Sequence, residues 1–394
     1  MSMPRAVRHI NEIRVLETVF RHRRISRAGI ARQLGLTRST ASSIVATLAD
    51  EGLLVEDISE EDKGSRTGRP GTFVRLHATH GLFIGADIGV GRTTVIALDM
   101  EAEIVAEEHK SFELDQATPE IVTQQLVLSI NKIIDRLRAY QLRGVCVTVP
   151  GIVDHAGQVL FAPILGWRQV PVLKMLHDMR PDLPLLIAEN DANAFAMAEL
   201  YQAGNSAPDA ALYIFLDAGV GGAIVNGGAI LRGHNGYAGE FGHIIVGDEG
   251  FVEVATLRGS LESFIGRDAV MARHRFHGGS AKNLEDFFAA AKNSERAALA
   301  TLADWSSYMG RGLASLTSIF NPQKIVLGGP VAVLYPLCEN AIMESLKHNL
   351  LADQPLPDIS LSSLGLNGPA KGAASILHKR MLSVDQDLVF HGSR

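Results

Sequence analysis

The sequence predicts an α/β protein with a separate winged helix-turn-helix at its N-terminal end. Three observations carry that prediction. Residues 26–54 place helix-spaced apolar positions on either side of a glycine break. Further along, strand-like runs ending in Gly, Asn and Asp clusters alternate with amphipathic helical stretches. Positive charge is concentrated at the start of the chain, ahead of an acidic remainder.

The first helix is expected around Ile10, Ile13, Leu16, Val19 and Phe20, whose spacing gives one apolar face. Ser26 suits an N-cap for a second helix, with Ile30, Ala31 and Leu34 as its inner positions. Gly35 breaks that helix and Leu36 buries the turn. Thr37 is placed to cap a third helix, in which Ala41, Ile44, Val45 and Leu48 form the inner stripe. The outer face of this helix starts Arg38-Ser39-Thr40 and continues through Ser42 and Ser43. An arginine and short hydrogen-bonding side chains at a helix N-terminus suit phosphate and base-edge contact in a major groove. An ordinary helical hairpin would explain the apolar spacing but not the charge.

After Leu54 the chain turns acidic and then reads Lys63-Gly64-Ser65-Arg66-Thr67-Gly68-Arg69-Pro70-Gly71 ahead of the strand-like Thr72–Leu76. Two strand-like flanks around a basic tip describe a wing. The Gly-Arg-Pro tip has an extended backbone, so Arg69, with Arg66 beside it, suits a narrow A·T-rich minor groove. Residues 1–49 hold nine arginines against Glu12 and Glu17, a net of +7. Residues 1–80 carry +4 and the whole chain −6, which leaves −10 on residues 81–394. A basic head on an acidic body localises DNA contact to the head, so the acidic total does not exclude it.

At 394 residues the chain is long enough for two or three domains. Cys146 and Cys338 have no CxxC partner, so no disulfide framework is expected and the usage fits a reducing cytoplasm. The opening MSMPRAVRHINEIR has no apolar signal core, and no apolar run reaches the roughly 18 residues of a membrane helix. A soluble, cytoplasmic protein without a membrane segment is expected. No short-period repeat or low-complexity tract is evident.

The domain boundary is expected near residue 78, giving a head of 1–78 and a body of 79–394. In the body, Leu82–Gly89 reads as a buried strand running into a glycine turn, and Thr93–Leu98 as the next strand. Residues 119–139 form a long amphipathic helix, and Val145–Val149 a strand that ends at Pro150-Gly151. Leu185–Ala188 is a strand leading into Glu189-Asn190-Asp191-Ala192-Asn193. Ala211–Leu216 and Gly222–Val225 are strands around another glycine turn. Ligand sites in such sheets collect at strand ends, where these polar clusters sit.

With those residues in view, the chain resembles the ROK family of repressors, open-reading-frame products and sugar kinases. The carrying segments are Asp87-Ile88-Gly89, Val149-Pro150-Gly151-Ile152-Val153, Asn190-Asp191-Ala192-Asn193, Gly239-Glu240-Phe241-Gly242-His243 and Asn321-Pro322-Gln323-Lys324-Ile325-Val326-Leu327-Gly328-Gly329. Each is weak alone; together and in this order they are specific. The resemblance implies a two-lobed actin/hexokinase-like ROK body. The helix-turn-helix places the chain with the repressor branch, of the xylose and N-acetylglucosamine repressor type.

Sugar hydroxyls both donate and accept, so a sugar site needs amides and carboxylates at strand ends. Asn190 and Asp191 supply both from one turn, and Glu240 and His243, three apart, can present a carboxylate and an imidazole together. Taken singly, Asn190-Asp191 reads as a helix cap and His243 as a core histidine; the joint pattern favours a sugar or sugar-phosphate site. The resemblance adds Gly151 and Glu262 to that set, and gives Asp191 the place of the kinases' general base. Where family members often have Asn, this chain has Ile164, which removes a hydroxyl contact and suggests an altered ligand preference.

The family's phosphate loops are degenerate here. Its first loop resembles DxGGTK, and this chain has Asp87-Ile88-Gly89-Val90-Gly91-Arg92-Thr93. Its second resembles GTGxGGG, and this chain has Asp217-Ala218-Gly219-Val220-Gly221-Gly222-Ala223. Asp217 would set a carboxylate beside an incoming polyphosphate, with Arg92 compensating in part. The family's zinc motif joins the histidine matched by His243 to three cysteines; those positions hold Glu253, Ala255 and Ser260, so no zinc and no cofactor are expected. The expectation is a sugar-responsive regulator, a homodimer or homotetramer reading two operator half-sites, with Asp191 a vestigial base and no catalysis. The alternative is an active ROK sugar kinase with a DNA-binding head.

Overall fold

The computed structural model describes residues 3–57, 72–154, 156–254 and 257–383. Helices α1 (Met3–His22), α2 (Arg27–Leu34) and α3 (Arg38–Asp50) open the chain. Ser26 caps α2, its Oγ accepting the Gly29 amide at 3.0 Å. Gly35 then closes α2 at φ 66°, a left-handed conformation in which any Cβ would be strained. Thr37 caps α3 by accepting the Thr40 amide at 3.1 Å. Both caps and the glycine stop fall where the sequence places them.

Strands β1 (Ile25–Ser26), β2 (Leu54–Asp57) and β3 (Phe73–Leu76) pair antiparallel in the order β1-β3-β2. The flanks of the expected wing therefore pair; its tip, with Arg66 and Arg69, lies outside the described residues. Helix α1 packs through its C-terminal half, where Val15, Leu16 and Val19 are buried. Ile10, expected on the inner face, is 36% exposed as a result.

The first lobe is a five-stranded sheet of β4 (Leu82–Gly89), β5 (Arg92–Asp99), β6 (Ile104–Ser111), β7 (Leu142–Val149) and β11 (Leu186–Asn190). Its order is β11-β7-β4-β5-β6, with β4, β7 and β11 parallel and the β4-β5-β6 meander antiparallel. Helices α4 (Pro119–Arg136) and α5 (Val172–Met179) pack into its core with Ile84, Val95, Leu126 and Val147. Helix α4 stops short of the expected residue 139, since Leu137 already leaves helical geometry at φ −112°, ψ 39°. A small sheet of β8 (Ile152–Val153), β9 (Val159–Ala162) and β10 (Trp167–Val170) sits beside the end of β7.

Helix α6 (Asp191–Ala203) leads into the second lobe. There β12 (Ala210–Leu216), β13 (Val220–Asn226), β14 (Ala229–Ile230), β15 (Lys324–Gly328) and β16 (Asp358–Leu361) run in the order β14-β13-β12-β15-β16. Helices α7 (Glu262–Ile265), α8 (Arg267–Phe276), α9 (Leu284–Lys292), α10 (Arg296–Phe320) and α11 (Tyr335–His348) follow. Phe264, Phe287, Trp305 and Leu313 anchor their core against β12 and β15. The last helix, α12 (Gly368–Leu382), crosses back onto α6 and the first lobe's sheet.

Head and body share one apolar cluster. Val15, Ile30, Ile44, Leu48 and Val74 of the head join Phe83, Leu98 and Met100 of the first lobe and Ala373 and Leu377 of α12. The connection between them is a short turn at Ala78–His80, tied down by Met100 N–H to the Ala78 carbonyl at 3.1 Å and Gln141 N–H to the Thr79 carbonyl at 3.0 Å. Among the described residues no helix is long and apolar enough to cross a membrane.

Candidate functional site

The first candidate surface is the start of α3. Arg38, Ser39 and Thr40 are exposed there, while Ser42 is half-buried. Thr37 Oγ1 lies 2.9 Å from Ser39 Oγ and 2.8 Å from Thr40 Oγ1, so the cap also orients both hydroxyls. Several arginines behind the head's net charge are engaged elsewhere: Arg8 with Glu12, Arg21 with Glu17 and Arg27 with Glu56. Arg32 and Arg38 stand exposed on the helix-turn-helix itself. Arg38 at the start of α3 and Arg32 on α2 leave exposed guanidinium groups beside the hydroxyls of Ser39 and Thr40.

The second candidate is a solvent-open cleft between the two lobes. Gly151, Asn190, Asp191, Glu240, His243 and Glu262, six positions spread over more than a hundred residues of sequence, all line it. Asn190 ends β11 and caps α6: its Oδ1 accepts the Asn193 amide at 3.0 Å and its Nδ2 donates to the Gly151 carbonyl at 3.1 Å. The helix-cap reading thus holds for a residue that also lines the cleft. One Nδ2 hydrogen and further oxygen lone pairs remain for a ligand.

Asp191 accepts the Ala192 amide at 2.8 Å through Oδ1. Burial, with the nearby Asp87 carboxylate adding to it, pushes its pKa well above the usual carboxylate range. Asp87 is itself buried and accepts the Thr148 hydroxyl at 2.8 Å. Burial raises it to about 6, against the opposing pull of Arg92. Glu240 precedes a single helical turn, Phe241–His243, which brings its Oε2 within 3.1 Å of His243 Nδ1. On the other side, Glu262 Oε1 at the start of α7 lies 3.6 Å from His243 Nε2. The Glu240 hydrogen bond raises the imidazole pKa, burial opposes it, and the charge of Glu262 adds to the rise. The cleft therefore presents carboxylate oxygens, an amide and an imidazole around one opening, the mixture that hydroxyl recognition requires.

The two glycine turns face each other across the same cleft. Asp217 at the end of β12 is buried, with Arg92 Nη1 3.0 Å from Oδ2 and Arg267 Nη1 3.2 Å from Oδ1. The Arg267 amide also donates to the Asp217 carbonyl at 2.8 Å. The compensation expected from Arg92 is present, and Arg267 supplies a second cation that the sequence reading missed. A buried carboxylate demands such partners, but no local pattern points from Asp217 to an arginine on α8. Ile164 also lines this cleft, as an apolar wall. Among the positions of the family's zinc motif, both ring nitrogens of His243 face carboxylates and Ser260 is fully buried, while Ala255 lies outside the described residues. That donor set does not fit a tetrahedral zinc site.

Comparison with known proteins agrees with this arrangement. The ROK family model matches residues 83–380, and the MarR family model matches residues 9–64. The chain is 28% identical over 385 residues to the xylose repressor of Bacillus spizizenii, spanning 96% of this chain and 97% of that protein. A crystal structure of a ROK family transcriptional regulator, described as a homolog of the E. coli MLC protein, matches with TM-score 0.75 and 21% identity over 95% of this chain and 97% of that one. A Streptomyces griseus ROK family glucokinase, solved with glucose and AMPPNP, gives TM-score 0.67 and 26% identity over 75% of this chain and 99% of its own. The chain belongs to the ROK family, with a winged helix-turn-helix ahead of the actin/hexokinase-like body.

Proposed function

We propose that the protein is a sugar-responsive DNA-binding repressor whose cleft takes a sugar or sugar phosphate without transferring phosphate. The observation that carries this reading is the contrast within one cleft. The hydroxyl-recognising set Asn190, Asp191, Glu240, His243 and Glu262 is assembled, while Asp217 with its two arginines stands between the glycine turns that hold phosphates in family kinases. A polyphosphate entering there would meet a buried carboxylate whose two neighbouring cations are already engaged in ion pairs with it. The named relatives that span nearly the whole chain are xylose repressors, which makes D-xylose a first candidate effector. Asp191, the vestigial base, remains as a hydroxyl acceptor. The head, residues 1–78, contacts DNA through Arg38, Ser39, Thr40 and Ser42, with Arg66 and Arg69 from the wing. A homodimer or homotetramer would present two such heads to paired half-sites.

The test is thermal-shift screening against D-xylose, D-glucose and N-acetyl-D-glucosamine, paired with a coupled ATP-consumption assay. A sugar at 100 times its Kd stabilises the folded state by about 2.7 kcal/mol, a readily measured shift. The expected result is stabilisation by at least one sugar and no sugar-dependent ATP turnover. Turnover at kinase rates would favour the kinase reading, which the retained Asp191 keeps in play.

A further inference from the structure

We infer that α6 is the rigid element through which the cleft positions the DNA-binding head, with Tyr201 and His378 as positioning residues at its far end. The inference rests on the sugar reading of the cleft given above. Helix α6 begins at the cleft: Asn190 is its cap and Asp191 its first residue. It runs for 13 residues and ends at Ala203, about 20 Å from its start at 1.5 Å rise per residue. Ala192 through Ala198 are all buried, so the helix has packed neighbours along most of its length. Against it lies α12, so close that a Cβ at Gly372 would run into the Ala194 carbonyl. Two helices in such contact shift together.

The far end of α6 and the neighbouring turn of α12 each touch the head once. The Tyr201 ring lies 5.7 Å from Phe20 of α1, and Phe20 lies 4.8 Å from the ring of His378 on α12. His378 is buried and hydrogen-bonded at both nitrogens. Its Nδ1 is 2.6 Å from Tyr201 Oη, and its Nε2 is 2.9 Å from the Met100 carbonyl. A carbonyl only accepts, so Nε2 carries the proton and Nδ1 accepts from the tyrosine hydroxyl. The Met100 amide in turn donates to Ala78, in the turn that joins head to body. A displacement of α6 at Asn190-Asp191 is thus delivered to α1 through rings and to the connecting turn through hydrogen bonds. Purely apolar packing at this seam would not need a tyrosine hydroxyl and a histidine tautomer locked against each other.

The decisive variant is Tyr201→Phe, which keeps the ring and deletes the hydroxyl. The full-length protein would be titrated with a DNA duplex that the wild type selects from a random pool, with and without each of D-xylose, D-glucose and N-acetyl-D-glucosamine. Coupling is the ratio of the two DNA dissociation constants, and in the wild type about tenfold or more is expected. In Tyr201→Phe the ratio should fall to under about threefold, while the sugar Kd and the sugar-free DNA Kd each move by less than about threefold. His378→Gln, whose amide can accept from Tyr201 and donate to Met100, should retain more coupling than His378→Leu. Undiminished coupling in Tyr201→Phe would overturn the inference alone. Parallel loss of sugar binding, DNA binding and coupling would also overturn it, because the role would then be structural. A wild type that answers to none of the three sugars would overturn both the inference and the sugar reading beneath it.

Discussion

Arg92 Nη1 lies 3.0 Å from Asp217 Oδ2, so the opening of β5 in the first lobe is pinned to the end of β12 in the second. Both groups are largely buried, and Arg267 completes the set on the far side of the carboxylate at 3.2 Å. The two lobes are thus joined here by a side-chain ion pair.

Removing one member of this group should be felt. Arg92→Ala leaves Asp217 with Arg267 alone and should lower unfolding stability by about 1–3 kcal/mol, less than the loss for a wholly unpaired buried charge. Asp217→Ala frees Arg92, which lines the cleft, and Arg267 behind it from their shared partner, and the cleft should then bind pyrophosphate. Thermal denaturation with millimolar pyrophosphate checks both: the melting temperature should rise in Asp217→Ala and stay fixed in the wild type. Equal behaviour of the two proteins would mean that the arginines are not held by Asp217 in solution.

The seam between head and body should be acid-sensitive. Burial lowers the His378 pKa from 6.5 to about 4, and the hydrogen bond to Met100 only partly opposes it. Between those values the unfolded state binds a proton that the folded state does not. The contribution of neutral His378 is therefore complete above about pH 6.5 and is lost as the pH falls toward 4, by about 3 kcal/mol in all. Urea denaturation at several pH values should show this slope in the wild type and a shallower one in His378→Gln. An unchanged slope in the variant would assign the acid sensitivity to other groups.

Arg38 and Arg69 should contribute to DNA affinity in different ways. Arg38 stands exposed at the first position of α3, and Arg69 belongs to the Gly-Arg-Pro tip read from the sequence. Arg38→Ala should weaken binding by about 1–3 kcal/mol and relax base preference. Arg69→Ala should weaken A·T-rich sites most. Anisotropy titrations over a range of salt on two duplexes differing in A·T content would separate them, and unchanged affinities in both variants would dismiss the surface.

Much of this was legible because it is local. Ser26, Gly35 and Thr37 act on amides and dihedrals within a few residues of themselves, so the helix-turn-helix could be read position by position. The cleft residues sit at strand ends and turns, where polar clusters interrupt apolar runs and announce themselves. What stayed hidden is non-local. Arg267 meets Asp217 from α8, and Phe20, Tyr201 and His378 converge from three distant parts of the chain. Strand β6 is not evident from the sequence because charged residues occupy its half-buried face (Glu108, Lys110) as well as its exposed one (Glu107), which masks the alternation. Helix α4 was drawn too long because neither Gly nor Pro marks its end after Arg136.

The central claim is that a sugar held by Asp191 and Glu240 controls DNA binding. Those two side chains reach the cleft from different elements, Asp191 from the start of α6 and Glu240 from the loop before Phe241–His243, so a ligand spanning them must couple the parts that carry them. The most direct measurement is the DNA affinity of the wild type, Asp191→Asn and Glu240→Ala as a function of sugar concentration, using whichever of the three sugars stabilises the wild type. The account predicts that both variants bind DNA nearly as tightly as the wild type without sugar and no longer respond to it. An Asp191→Asn protein that still responds with the wild-type midpoint would contradict the account, because the sugar would then be bound somewhere else.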